Sequence, residues 1–475
     1  MARLVRRRQF LQSAAGGAAV AALGRWVRAG DAPLATRPDA GRPNVVIVVA
    51  DDLGWRDTGY QGSPYAITPN LDDLAAKGVR LDYHYAAGTV CCPNRYSILT
   101  GRTPSRAGYV HLSRQSSGRP RPPEVLLPVL LKQAGYRTGH FGKSHISMEG
   151  FEKNVDSGNY FDIGASLSED GRKGAVQLPP GVDSSVAIMD VALSWVNTVA
   201  KGEGPFFAYI CFGSPHAPYK GAQNFKDLYR DKDPGSRLDR YAEISGLDAA
   251  VGNLRKALRE LKAADNTLLW FASDNGGHGG DDSNEPSKVG KGDIGCRTAA
   301  CLEWPGRVKQ PLRTKVPTVH TDMLPTVLAA ANVPYPDQRP LDGINLLPLL
   351  DGQMKERPRP IGFMEWRNRG GSEGPEKGPV KASQANVKKL VDIDFVTGTE
   401  GKWIDGKYML VVNQPGWVPS KAPIPSGLYD IYADEAMKKD LTAALPEKAK
   451  AMQAALDAWR RGVRDSFEGK DLVEP

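Results

Sequence analysis

Residues 44–55 read NVVIVVADDLGW, and this stretch decides the fold. Its apolar run, Val45 to Ala50, is short and rich in β-branched residues, which predicts a fully buried strand rather than a helix. Two runs of the same kind recur at 206–212 and 268–272, with amphipathic segments between them. Because strands buried on both faces belong to parallel sheets covered by helices, we predict an α/β fold. Its large sheet should be mainly parallel, with some mixed pairing, and sandwiched by helices.

Two segments between these runs have helical periodicity, which predicts helices packed on the sheet. Their apolar residues are Ile188, Val191, Ala192 and Trp195 in the first and Leu247, Val251, Leu254, Leu258 and Leu261 in the second. The pattern changes beyond residue 355. Residues 370–389 predict a surface loop. Apolar segments at 403–413 and 427–432, with a helical stripe at 452–459, predict a smaller C-terminal α+β domain made of an antiparallel sheet plus a helix.

The composition is that of an ordinary globular protein, with 41% hydrophobic and 24% charged residues among 475. The net charge is +8, but residues 1–40 hold seven Arg and two Asp, so the remainder carries 55 basic and 52 acidic side chains. This small excess predicts no nucleic-acid partner. Five Cys are too few and too irregularly spaced for a disulfide framework or a zinc ribbon. Cys296 and Cys301 could form a small disulfide or remain two buried thiols.

The first 40 residues have the pattern of an export signal. The sequence RRRQFL at 6–11 precedes an Ala/Gly-rich apolar stretch at 13–24, and Arg25 and Arg28 follow. This pattern resembles a twin-arginine signal, with a disordered basic tail as the alternative. The apolar part is too short to cross a bilayer, so no membrane span is expected. We predict an exported protein, periplasmic or extracellular, that the twin-arginine machinery recognises.

Polar side chains follow all three buried runs. Asp51 and Asp52 come directly after the first run, His216 comes shortly after the run that ends at residue 212, and Ser273, Asp274 and Asn275 come after the run that ends at residue 272. Ligands of open parallel sheets bind at the carboxyl ends of the strands, so these side chains are expected to converge on one crevice. Three carboxylates and one amide suit a hard cation such as Ca²⁺ or Mg²⁺, and not zinc. The alternative for any one pair is a helix cap or a turn.

A second motif, TVCCPNRYSILTGR, occupies residues 89–102. It closely resembles the signature of the formylglycine-dependent type I sulfatases of the alkaline phosphatase superfamily, which is Cys-x-Pro-x-Arg followed by Leu-Thr-Gly-Arg. Pro93 and Arg95 set the frame, so Cys91 matches the cysteine that becomes formylglycine and Cys92 matches the variable position. From the residues alone, the alternative is an inert buried cysteine pair at the start of a helix.

The resemblance covers about residues 43 to 460. The segment 51–55 is similar to the first metal-binding motif of the family and 273–276 to the second, while Lys143-Ser-His145 and Pro-His216-Ala-Pro match further motifs. The implied metal ligands are Asp51, Asp52, the residue derived from Cys91, Asp274 and Asn275. The implied catalytic residues are Cys91, Arg95, Lys143, His145, His216 and Lys291.

The chemistry of sulfate transfer gives these residues expected roles. Negative charge spreads over the nonbridging and leaving oxygens in the transition state, so cations and rigid donors must surround the sulfate group. By resemblance, a hydrated formylglycine supplies the attacking hydroxyl, whose pKa the metal lowers. Arg95 would orient the formylglycine, and Lys143 and Lys291 would contact sulfate oxygens. His145 is expected to be the base that releases sulfate, and His216, together with Lys291, to serve the leaving group.

Together, the sequence patterns and the resemblance predict three regions: an export signal and linker at 1–40, a sulfatase catalytic domain at 41–355 and a smaller domain at 356–475. The leading hypothesis is an exported hydrolase of a carbohydrate or aryl sulfate ester. A formylglycine-generating enzyme would act on it, although Asn94 stands where the family usually has Ser or Ala. The alternatives are a phosphonate monoester or phosphodiester hydrolase of the same superfamily, and a noncatalytic binder of sulfated glycans in which Cys91 stays a thiol.

Overall fold

The structure is a computed structural model, and it describes the residues 41–107, 124–146, 148–156, 166–169, 176–177, 181–277, 296–365, 400–412 and 425–471. The predicted leader at 1–40, the predicted loop at 370–389 and Lys291 lie outside the described residues. Among the described helices, none combines the length and the apolar composition that a bilayer span requires.

Strands form the sheets in the described part of the chain. In chain order they are β1 (Asn44–Ala50), β2 (Val79–Leu81), β3 (His84–Tyr85), β4 (Arg137–Gly142), β5 (Lys153–Asp156), β6 (Ser166–Glu169), β7 (Val176–Gln177), β8 (Phe206–Cys211), β9 (Thr267–Ser273), β10 (Arg297–Thr298), β11 (Ala300–Glu303), β12 (Leu312–Thr314), β13 (Thr318–Val319), β14 (Ile361–Glu365), β15 (Glu400–Asp405), β16 (Tyr408–Val412) and β17 (Gly427–Asp430).

Helices cover the sheets. In chain order they are α1 (Pro69–Lys77), α2 (Cys91–Thr100), α3 (Leu127–Gln133), α4 (Ser184–Val199), α5 (Gln223–Lys226), α6 (Leu238–Glu260), α7 (Met323–Ala331), α8 (Leu347–Leu350) and α9 (Pro446–Phe467). The two helices that periodicity predicted are confirmed as α4 and α6. The Asp183 carboxylate caps α4 by accepting hydrogen bonds from the backbone N–H groups of Ser185 and Val186 at 2.9 and 3.2 Å.

Ten strands form one mixed sheet in the order β12-β2-β11-β9-β1-β8-β4-β5-β6-β7. The five central strands, β9, β1, β8, β4 and β5, are parallel to their neighbours, while β11 and β6 pair antiparallel on either side of them. The three apolar runs of the sequence are the adjacent central strands β9, β1 and β8. The predicted mainly parallel sheet is therefore confirmed.

The two faces of the sheet bury different side chains of the same strand. Val45, Ile47 and Val49 of β1 pack in a cluster with residues of α2, α3 and α7. Val46 and Val48 point to the other face and pack with residues of α1, α4 and α6. This alternation follows from the two-residue period of a strand, and it makes the sheet the middle layer of three.

A separate antiparallel sheet, in the order β14-β15-β16-β17, forms from the C-terminal part of the chain. Met452 and Leu456 of α9 pack against Trp403 and Leu410 of this sheet. The predicted antiparallel sheet plus helix is therefore confirmed. The apolar segment 403–413 belongs to two strands, because Gly406, at a φ of 59°, turns the chain between β15 and β16. The domain boundary near residue 355 stays a prediction.

The two cysteines left open by the sequence lie in different apolar clusters. Cys296 packs with Tyr85 under the C-terminal sheet, whereas Cys301 packs with Phe271 on the large sheet. No disulfide joins Cys296 to Cys301, both of which belong to the described residues. Of the two alternatives, the structure therefore has two buried thiols.

Candidate active site

The carboxyl ends of β1 and β9 bring four predicted residues together. Asp51 and Asp52 follow β1, and Asp274 and Asn275 follow the neighbouring β9. The Asp274 N–H donates a hydrogen bond to the Ala50 carbonyl at 2.9 Å, which fixes one strand end against the other. All four side chains are completely buried. The predicted convergence of acidic strand ends is thus present in the structure.

Cys91 reaches this group from the first residue of α2. Its Sγ lies 3.2 Å from Asp51 Oδ1. One ligand atom from each of Asp51, Asp52, Cys91 and His216 lies within 4.8 Å of the other three. The sequence prediction did not count His216 among the metal ligands, but the structure puts its Nε2 3.6 Å from Asp52 Oδ2. His216 therefore borders the candidate cation site.

Asn275 shows that a cation fits here. Its Nδ2 donates to Asp52 Oδ1 at 2.6 Å, so its Oδ1 is the atom left to bind something else. Within the described part of the chain, this buried Oδ1 has no hydrogen-bond partner. A buried acceptor without a partner is unfavourable unless a donor or a cation satisfies it. The adjoining carboxylates and this amide oxygen form the oxygen set that Ca²⁺ or Mg²⁺ prefers.

Arg95 lies one turn after Cys91 on α2 and is completely buried. Its Nε and Nη2 donate to Asp274 Oδ2 at 3.1 and 2.8 Å, and its Nη1 donates to the Lys143 carbonyl at 3.1 Å. Burial opposes the charge, but the Asp274 carboxylate keeps the pKa of Arg95 well above its usual value. Arg95 thus ties the second acidic strand end to α2 and to the end of β4.

Lys143 follows β4, and its Nζ contacts Asp51 Oδ2. Burial alone would favour a protonated Asp51, but the charge of Lys143, together with that of Arg95, outweighs it and lowers the pKa of that carboxyl. Asp274 behaves differently, because burial and the Asp51 charge raise its pKa to about 6. Burial and the charges of Asp274 and Asp51 also raise the pKa of the Cys91 thiol well above its usual value. In the absence of a cation, these surroundings therefore favour the protonated thiol over the thiolate.

His145 ends this segment with a left-handed backbone, at a φ of 59°, and Asp52 shares that conformation at 62°. Such positive φ values are unfavourable for residues other than glycine and cluster at functional sites. Burial, followed by the Lys143 and Arg95 charges, lowers the pKa of His145 to about 2. The imidazole is therefore neutral, and its buried Nδ1 has no hydrogen-bond partner among the described residues.

Sequence reasoning missed a pair that supports Asp52 from behind. Arg240 of α6 donates through Nη1 to Asp57 Oδ1 at 3.0 Å, and Asp57 Oδ2 accepts the Gly54 N–H at 2.7 Å. Arg240 Nη2 also lies 3.5 Å from the Asp52 carbonyl. The Gly54–Asp57 spacing is a turn signal that the sequence does carry. Arg240, far along the chain on a helix, offers no such signal.

Comparison with known proteins now bears on this geometry. The family model described as Sulfatase matches residues 43–333, which span the large sheet and both acidic strand ends. The chain belongs to the sulfatase family. It is therefore a sulfuric ester hydrolase, as the sequence predicted.

Relatives of this sulfatase cover most of its length. N-acetylgalactosamine-6-sulfatase of Sus scrofa is 31% identical over 393 residues, which cover 72% of this chain and 73% of the relative. Arylsulfatase A of Homo sapiens is 31% identical over 360 residues, covering 66% and 68%. A solved structure of Ps i-CgsB in complex with k-i-k-neocarrahexaose has a TM-score of 0.74 at 22% identity, covering 90% of this sulfatase and 96% of that chain. This last likeness confirms the fold.

Proposed function

We propose that this sulfatase hydrolyses a sulfated saccharide through a formylglycine made from Cys91, with one bound divalent cation, Ca²⁺ rather than Mg²⁺. The observation that carries the proposal is the surroundings of Cys91. Its Sγ lies 3.2 Å from Asp51 Oδ1, and Cys91 groups with Asp51, Asp52 and His216 at the candidate cation site. Residue 91 is thus placed where a hydroxyl made from it would meet both the cation and the sulfate group.

The chain's own residues would divide the work between them. When bound, the cation supplies Lewis acidity and the formylglycine supplies a hydroxyl nucleophile. The cation ligands would be Asp51, Asp52, the residue derived from Cys91, Asp274 and Asn275. Arg95, bonded to Asp274, would position that ligand and the turn of α2 that carries residue 91.

The cationic and imidazole groups would handle charge and protons. Lys143, next to Asp51, is near enough to the site to contact a sulfate oxygen, and Lys291 would contact another. His145 is proposed as the base through its unpartnered Nδ1. Its pKa of about 2 results from burial and from the positive charges of Lys143 and Arg95. A sulfate anion beside it would raise that pKa toward the range of an effective base. His216 is proposed to serve the leaving group.

A saccharide is the favoured substrate class for two reasons. One relative is named for a sulfated amino sugar, and the solved structure of similar fold carries a hexasaccharide. The arylsulfatase relative supports aryl sulfates as practical assay substrates. We further propose that a formylglycine-generating enzyme converts Cys91 and that the twin-arginine machinery then exports the protein to the periplasm or the outside.

Peptide mass spectrometry across residues 89–102 tests the proposal directly. The expected product is an aldehyde at residue 91 and an unaltered thiol at Cys92. A turning-over enzyme with a cysteine at residue 91 would overturn the formylglycine proposal. Rates on aryl sulfate, saccharide sulfate and phosphodiester then test the substrate class. A preference for the phosphodiester by orders of magnitude would overturn the sulfate assignment.

A further inference from the structure

A cavity of about 360 Å³ is lined by residues other than the proposed catalytic and metal-binding ones. Its volume falls in the range of about 300–1,000 Å³ that is typical of small-molecule sites. We name it the basic pocket after its five cationic lining residues, which are Arg56, Arg80, Arg297, Arg313 and Lys315. Two carboxylates, Asp82 and Glu435, also line it. The lining therefore carries an excess of three positive charges.

The wall of the basic pocket is held rigidly by stacking. The Arg297 guanidinium lies 3.8 Å from the ring centroid of Trp55 and 4.0 Å from that of Tyr83. Arg297 also donates through Nε and Nη2 to the Asp82 carbonyl at 3.0 and 2.7 Å. Because Arg297 is only 3% exposed, it fixes the wall in place, and the exposed cations Arg56, Arg313 and Lys315 are the ones that can meet a ligand.

The carboxylates of the basic pocket do not neutralise all of its cations. The Asp82 carboxylate forms ion pairs with Arg80 at 2.6 Å and with Arg313 at 2.7 Å. The Glu435 carboxylate forms ion pairs with Arg56 and Arg297, each at 3.2 Å. Each carboxylate is thus shared between two guanidinium groups. A concave surface with surplus positive charge concentrates anions.

Two further observations point to an oxygen-rich anion. The Lys315 Nζ lies 5.6 Å from the Tyr432 ring centroid and makes no ion pair with any described carboxylate. Trp55 Nε1 and Gln61 Nε2 are buried donors with no hydrogen-bond partner in the part of the chain that the structure describes. Unsatisfied donors beside surplus cations match a ligand that offers acceptors only.

The basic pocket lies on the catalytic edge of the sheet. Asp82 follows β2 and Lys315 follows β12, and these strands point in the same direction as β1. β2 is the third strand from β1, so the offset along the edge is about 14 Å at the usual strand spacing of about 4.8 Å. Trp55, which lines the basic pocket, follows Asp52 by only three residues. One elongated ligand can therefore reach both.

We infer that the basic pocket binds a second sulfate-bearing sugar of the same chain, several sugar units from the sulfate ester that is cleaved. Its cations meet the sulfate oxygens. The inference rests on the proposed saccharide substrate and narrows it. The preferred substrate is an oligosaccharide with repeated sulfation rather than one carrying a single sulfate.

Calorimetric binding in a Cys91→Ala background tests this without turnover. The probe is a hexasaccharide with sulfate on alternate sugars. Arg313→Ala combined with Lys315→Ala removes two exposed cations of the basic pocket, and we expect Kd to rise about tenfold. The matched control, Lys256→Ala combined with Lys309→Ala, removes the same charge near the amino ends of β9 and β12. We expect it to change Kd by less than about twofold.

Four results would overturn the inference. The first two are an unchanged Kd in the pocket variant and an equal rise in the control variant. The other two are equally tight binding of the desulfated hexasaccharide and equally tight binding of a desulfated hexasaccharide that carries carboxylates, which separates sulfate recognition from general attraction to anions. The outcome does not depend on hydrolysis. A cysteine found at residue 91 by mass spectrometry would defeat the proposed chemistry and leave this measurement valid.

Discussion

At the scale of single residues, the site is a set of charges that neutralise one another. Lys143 contacts Asp51, and Arg95 contacts Asp274, so two of the three buried carboxylates have a cationic partner inside the protein. Asp52 faces His216 Nε2 at 3.6 Å instead. Removing one member of such a buried pair leaves its partner uncompensated, which is more costly than the pair itself. Conservative substitutions are therefore the informative ones here.

Asp274→Asn tests the cation site with the smallest change of shape. We expect turnover of an aryl sulfate to fall at least about 10²-fold and the bound metal to be lost, because an anionic ligand and the partner of Arg95 both disappear. Kinetics and elemental analysis of the dialysed protein measure the two effects. Asp265→Asn, at an exposed position before β9, is the control. Full metal content and full turnover in Asp274→Asn would remove Asp274 from the ligand set.

Cys91→Ala and Cys92→Ser separate the two adjacent cysteines. We expect Cys91→Ala to lower turnover at least about 10³-fold while the protein stays folded, because the nucleophile is lost but the side chain shrinks little. Cys92→Ser should be nearly silent, since a hydroxyl can replace its Sγ contact to the His145 carbonyl, 3.4 Å away. Steady-state rates and thermal melts of both variants decide the matter. An inactive but folded Cys92→Ser variant would mean that Cys92, and not Cys91, carries the chemistry.

At the scale of elements, the long helix α6 positions the loop after β1. Arg240 holds Asp57, and Asp57 in turn accepts the Gly54 N–H. The loop that carries Asp51 and Asp52 is thereby tied to a helix on one face of the sheet. Because Arg240 and Asp57 are both buried, the tie is an ion pair in the interior rather than a surface contact.

Arg240→Met leaves the Asp57 carboxylate buried without its main cation. We expect the free energy of unfolding to fall by about 3–5 kcal/mol, measured by urea denaturation. Adding Asp57→Asn to Arg240→Met should restore part of this loss, because no uncompensated charge then remains. If the double variant is less stable than Arg240→Met alone, the pair does not act through its charge.

Sequence patterns predicted part of this architecture, for reasons that differ between elements. The strands β1, β9 and β8 could be predicted because a fully buried strand requires a continuous run of apolar residues. The acidic ends of β1 and β9 followed from the geometry of parallel sheets. The pairs Arg95–Asp274 and Lys143–Asp51 could not be predicted from these patterns. Their members are 179 and 92 positions apart in the chain, and no local pattern encodes which way the side chains point.

The catalytic residues themselves came from motif resemblance rather than from periodicity. Lys291 stays a prediction, because it lies outside the described residues. The basic pocket was missed altogether, since its cations come from four separate segments of the chain and no single segment is unusually basic.

At the scale of the whole molecule, buried histidines link stability to pH. His84 and His320 are completely buried, with ring centroids 5.3 Å apart. Burial, outweighing the hydrogen bond to the Ser273 carbonyl, lowers the pKa of His320 to about 3, and burial together with His320 lowers that of His84 well below its usual value. Below about pH 6.5 the histidines of the unfolded chain are protonated, while the buried histidines of the folded chain stay neutral. The free energy of unfolding therefore decreases as pH falls.

His320→Gln isolates this effect from opposing groups. Burial raises the pKa of Asp183 and of Asp248 to about 6, and such carboxyls add stability as pH falls below 6. These carboxyls are the same in the variant and in the parent protein, so their contribution cancels when the pH dependence of the two is compared. Between pH 7 and pH 5, His320 should account for about 2 kcal/mol of lost stability, and the variant should lose that much less. Urea denaturation at both pH values measures it, and identical pH slopes would contradict the assignment.

The complete burial of α2 fixes an order of events in the life of the chain. All ten residues of this helix are buried, and Cys91 is only 1% exposed. Arg106, just beyond it, is bonded to Asp342 at 2.8 Å and to the Gly462 carbonyl of α9 at 3.0 Å, so the last helix closes over its far end. An enzyme that converts Cys91, as proposed, would therefore need to reach residue 91 before α2 is packed into the folded protein. The proposed conversion is expected to precede the completion of folding, and the proposed export to follow it.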